Sequence, residues 1–225
     1  MIRLVKNNAS SYTIEECSSK ILNIQRIISN ELNVFEWNVQ SNSKIFIGEI
    51  DKVQEILISQ FIDDAKEYDR MVVDKTYKNS FGNSCYFVAN KKPPFSVNYN
   101  FGVEKSGVYS DVFYIENFNF DNIEEEKMFN LFMKLIETFR PTHATITHSD
   151  LVDEIIDFKS GEIWTGWVTF ISNDLNIDVP SRYKYLNLDY GKVIFSSEEL
   201  QFDINNSDNI KEIIGLTEYL RKVKG

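Results

Sequence analysis

His143 and His148 carry the side chains of this chain best suited to hold a transition metal or to move a proton near neutral pH. They stand five positions apart, which sends them to opposite faces of a strand and misaligns them on a helix. His148 and Asp150 can share a face, yet one imidazole and one carboxylate do not complete a zinc site, and H-E-x-x-H is absent. The two cysteines, Cys17 and Cys85, form no C-x-x-C pair, so they point neither to a zinc site nor to a disulfide framework. Cys17 falls on an apolar helical position and reads as a small buried hydrophobe. No G-x-S-x-G elbow, phosphate loop or G-x-G-x-x-G occurs, and nine glycines leave little for a nucleotide cradle. The expectation is a chain with no catalytic residues, no metal and no cofactor. Acid–base chemistry by dispersed Asp and Glu leaves an unrecognised hydrolase as the least favoured alternative.

The carboxylates carry more information. Asp150, Asp153, Glu154 and Asp157 recur at steps of three, one and three, so on a helix they crowd one stripe, with Leu151, Val152, Ile155 and Ile156 on the other side. A solvated face is the ordinary use of such a stripe. Its sharper use is to meet a basic partner, with Trp164 nearby as an aromatic anchor. The whole chain leans the same way: 34 acidic against 24 basic side chains give a formal net charge of -10. That balance repels nucleic acid and anionic membrane surfaces and favours a basic protein.

The elements that would hold these residues follow from periodicity. GEIWTGWVTFIS, Gly161 to Ser172, is nearly all β-branched or aromatic and reads as a central strand buried on both faces. Gly166 interrupts it, between Trp164 and Trp167, and marks a bulge or a close backbone approach. Upstream, Thr13 and Glu16 form a capping-box signature, and Ile14, Cys17, Ile21, Ile24 and Ile28 predict a helix to about Leu32. Phe35 and Trp37 are expected to tuck its exit into the core. A second helix is predicted over Asp51 to Tyr68. From about Asn79 the period shortens to two through NSCYFVAN, PFSVNYNFGVE and VFYIENF, three neighbouring antiparallel strands. Ser96, Asn98 and Asn100 would form a wet face opposite Phe95, Val97, Tyr99 and Phe101.

Asp121 can cap a third helix with the stripe Met128, Leu131, Phe132, Leu135 and Ile136, closed by Pro141. The run Glu124, Glu125 and Glu126 suits its first turn. Strands near Ala144 to Thr147 and Lys192 to Ser196 and a last helix from Ser207 complete a single α+β domain over residues 1–225. This is a central, mostly antiparallel or mixed sheet with N-terminal, middle and C-terminal helices packed on it. The N-terminus MIRLVKNNASSY is too poor in apolar residues for a signal peptide, and no segment has the ~20 apolar residues of a membrane span. A soluble protein of the reducing cytoplasm is expected.

The order YTIEECSSKILNIQRIISNELNVFEW, FSVNYNFG, ETFRPTHATIT, GWVTFIS, VPSRYKYLNLDYGKVIFSSEELQF and EIIGLTEYLRK resembles the immunity protein 52 family of bacterial polymorphic toxin systems. Glu15, Glu16 and Cys17 leading to Trp37, then Pro141, Gly166-Trp167, Pro180, and Gly191 before Val193 and Ile194 carry the resemblance. It implies a cytoplasmic antitoxin that binds a cognate effector delivered between bacteria, often by type VI secretion. The toxin it implies is a nuclease of restriction-endonuclease fold. A general acidic protein-interaction domain is the alternative.

Overall fold

The computed structural model describes residues 1–39, 44–46, 50–69, 73–78, 82–90, 94–105, 108–116, 124–158, 161–197, 200 and 202–224. The fold is α+β. Two compact units divide it, Lys6–Phe118 with Glu137–Phe139, and Met1–Val5 with Asn119–Ile136 and Arg140–Gly225.

In the first unit, strands β2 (Glu36–Val39), β3 (Lys44–Phe46), β4 (Asn83–Ala89), β5 (Ser96–Lys105) and β6 (Val108–Glu116) lie in the order β3-β2-β4-β5-β6. Every register between them is antiparallel. Helices α1 (Ile14–Leu32) and α2 (Ile50–Asp69) complete the unit. The predicted capping box opens α1: Thr13 N–H donates to Glu16 Oε2 at 2.8 Å, and Glu16 N–H to Thr13 Oγ1 at 3.2 Å. Ile14, Cys17, Ile21, Ile24 and Ile28 are buried as their spacing required. Burial pushes the Cys17 thiol up to about 12, so it stays a neutral core group. Trp37 is buried and donates from Nε1 to Ser29 Oγ at 3.1 Å, with its ring edge-on to Phe87 and Phe95. Phe35 does not join it. Two residues before Trp37 and outside β2, it is 66% exposed. Ser96 likewise departs from the expected wet face, since the first residue of β5 is buried whereas Asn98 and Asn100 stay partly open.

The second unit orders its strands β1-β7-β8-β10-β9, where β1 is Ile2–Ala9, of which Ile2–Val5 belongs here, β7 His143–Ile146, β8 Val168–Ser172, β9 Lys184–Leu188 and β10 Gly191–Phe195. Its registers are antiparallel as well. Helix α3 (Glu125–Phe139) buries Met128, Leu131, Phe132, Leu135 and Ile136, and ends at a left-handed Arg140 just before Pro141. Asp121, the expected cap, lies outside the described residues; Glu124 occupies the cap position without a side-chain bond, while Glu125 accepts from Phe202 N–H at 3.1 Å. Helix α4 (Ser207–Lys224) begins at the predicted serine. Its Leu216 and Leu220 pack with Ile163, Ile171, Ile177, Tyr183 and Ile194.

The central strand is shorter than expected. Only Val168–Ser172 pairs, and all five residues are buried. Ile163, Thr165 and Trp167 are buried in irregular chain, and the Thr165 hydroxyl meets Thr217 Oγ1 of α4, 2.5 Å away. Gly166 makes the close approach its type suggested: a Cβ there would overlap the Ile146 carbonyl oxygen and Thr145 Oγ1.

Candidate interaction surface

The segment after β7 carries the carboxylates singled out by spacing, and it is not the helix their stripe required. Leu151–Ile155 form one five-residue π-type turn, closed by the Ile156 N–H to the Leu151 carbonyl at 2.7 Å. Ile156 is already extended, with φ -120 and ψ 103. Asp150 therefore precedes the turn and Asp157 comes after it, so the four acids do not share one helical face. The side chains of Asp153 and Glu154 lie outside the described residues. Asp150 and Asp157 are exposed. The Asp150 carboxylate sits 3.5 Å from His148 Nδ1, which accepts the Asp150 N–H at 3.2 Å.

Cations bind this segment down. Arg221 of α4 grips Glu162 with two bonds, 3.1 and 2.9 Å, and donates to the Asp157 carbonyl at 2.6 Å. Lys224 donates to the Gly161 carbonyl at 2.6 Å. Trp164 is half-buried: Phe158 stacks on it at 5.3 Å, and the Arg3 guanidinium lies 4.1 Å from its ring centre. Both contacts use the ring faces. Asp150, Asp157 and Trp164 thus belong to one anchored loop, with two open carboxylates on it.

His143, five residues before His148, is buried in β7, and neither ring nitrogen has a hydrogen-bond partner among the described residues. Burial, with Arg3 and Lys224 adding to it, pushes its pKa down to about 3. Among the described residues no group of three or more His, Cys, Asp and Glu is placed to hold a metal, and no helix is long and apolar enough to cross a membrane.

The structure of a Pseudomonas aeruginosa T6SS protein, PA0821, is similar over 99% of this chain and 76% of its own, with a TM-score of 0.53 and 10% identity. The likeness is one of fold. No family model and no curated protein matches the sequence.

Two features escaped the sequence. One is a cleft of about 800 Å³ lined by Arg182, Lys184, Ser197, Asp208, Lys211 and Glu212 among others, between the start of α4 and the β9 edge. Its signal was available in RYKYLNL, a cationic run in an acidic chain. The other is Asp111 of β6, buried 99 residues away from its partner Tyr12, a pairing with no local signature.

Proposed function

We propose that this chain is an immunity protein that neutralises a cognate toxin by stoichiometric binding, without turnover, cofactor or contact with nucleic acid or membrane. The observation that carries the reading is the likeness of fold to a T6SS protein along nearly the whole chain. The ordered sequence resemblance to immunity protein 52 supports it, and the net charge of -10 suits a basic partner. The toxin this favours is a nuclease of restriction-endonuclease fold, met in the cytoplasm. Such an enzyme holds phosphates in a basic groove, and an acidic loop seated there excludes the substrate by charge as well as by bulk. Asp150 and Asp157 are the open carboxylates for that role, joined in sequence by Asp153 and Glu154, with the half-buried Trp164 as the apolar contact.

Co-expression tests this. Cells that make the toxin domain encoded beside this chain survive when the chain is made in excess; killing that continues despite abundant, folded protein rejects the reading.

A further inference from the structure

Strand β9 ends its sheet, and among the described residues no strand pairs with its outer side. Leu188 opposes Gly191 across the two residues Asp189 and Tyr190, the shortest common hairpin connection. A closing pair of this kind exchanges hydrogen bonds, and the ladder then alternates. Leu188, Leu186 and Lys184 consequently turn their main-chain groups toward β10, whereas Tyr185 and Asn187 turn theirs outward. The strand is exposed from Lys184 to Asn187, with Tyr185 at 42% and Leu186 at 43%. Folded proteins usually cover or blunt such an edge.

Charge says what fits it. The run from Arg182 to Leu188 holds two cations and no carboxylate, in a chain of net charge -10. The cleft beside it accounts for most local charge internally: Lys211 lies 2.9 Å from Asp208, and Arg182 lies 3.8 Å from Glu212. Lys184, which lines the same cleft, has no ion-pair partner among the described residues. A second copy pairing edge to edge would bring two cationic runs together, which disfavours self-association. An acidic strand from another protein meets neither obstacle.

We propose that β9 is a docking edge on which an extended, acidic segment of the partner protein adds as an antiparallel strand. The segment takes its main-chain bonds from Tyr185 and Asn187 and directs a carboxylate at Lys184. This inference rests on the reading that the chain works by binding a protein. It assigns a second surface, opposite in charge to the acidic loop, so that a partner with a basic groove and one acidic edge strand is held at two points.

The experiment uses the full chain and the inactivated toxin domain encoded beside it. Asn187→Pro removes one outward N–H and leaves the inner ladder intact; Lys184→Glu reverses the charge and serves if the proline variant misfolds. Each is expected to weaken the complex roughly tenfold or more, and hydrogen exchange at Tyr185 and Asn187 is expected to slow on binding. A wild-type complex that forms with these amides unprotected and both variants binding normally overturns the edge while sparing the reading beneath it. Absence of any complex overturns both. If the free chain is a dimer that Asn187→Pro dissolves, the occupant is a second copy and the acidic partner strand is wrong.

Discussion

The Tyr12 hydroxyl donates to Asp111 Oδ2 at 2.9 Å, tying the approach to α1 to the middle of β6. The other carboxylate oxygen accepts the Gly102 N–H at 2.8 Å, at the point where the β5–β6 register slips between Asn100 and Val103. Gly102 has φ +68, a left-handed turn of the bulge that glycine adopts without strain. Burial pushes the Asp111 carboxyl up, opposed by both hydrogen bonds. Tyr12→Phe should cost about 1 kcal/mol, and Asp111→Ala about 2–3 kcal/mol because it orphans two donors. Equal denaturation midpoints for wild type and both variants would show that the bulge holds itself.

Gly166→Ala is expected to be the most damaging single-methyl change in the second unit. The added carbon meets the Ile146 main-chain oxygen, which cannot rotate away as a side chain can. The expected loss is about 3 kcal/mol or more, read by urea denaturation. Stability within error of the wild type would place the Gly166 backbone away from β7.

His143 predicts an acid-sensitive fold. Its folded pKa of about 3 lies below the ordinary value of 6.5, so the unfolded chain takes up the proton first. The stability that depends on a neutral His143 is present above about pH 6.5 and is lost as pH falls toward 3, by at most about 1.4 kcal/mol per pH unit. In His143→Leu that loss disappears. The stability difference between the two proteins, measured from pH 7 to pH 4, should therefore shift steadily in favour of the variant. A constant difference would mean that the imidazole is not held neutral.

What the sequence disclosed depended on whether the signal was local. Thr13 with Glu16 marked the start of α1 because a cap is written in neighbouring residues, and Ser207 opens α4 one residue after its cap, Asn206, whose Oδ1 accepts the Asp208 and Asn209 N–H groups. The α3 stripe was legible because all five of its residues are fully buried along one side of the helix. The acidic stripe misled for a related reason. Its 3.6-residue spacing across Asp150 to Asp157 was present, but the chain leaves its turn at Ile156, and Arg221 and Lys224 of a distant helix hold the carbonyls of Asp157 and Gly161. Strand β1 was missed because Arg3 and Lys6 break the apolar pattern of IRLVKNNA, although Ile2 and Leu4 are fully buried. Strand β9 has almost no buried side to betray it.

Reversing the two open carboxylates, Asp150→Lys with Asp157→Lys, should slow association with the toxin several-fold at low salt and flatten its salt dependence. Both side chains are exposed, so the melt should move little, within the ~0.5 kcal/mol usual for surface changes. Unchanged kinetics in the folded double variant would move the acidic contact to another face.

The most direct measurement titrates this protein against the proposed cognate nuclease toxin, purified, while recording nuclease activity and the heat of binding together. Activity is expected to fall linearly and end at one chain per toxin, with a calorimetric break at the same ratio. Undiminished nuclease activity at several-fold excess of folded protein, with no heat of binding, would contradict it.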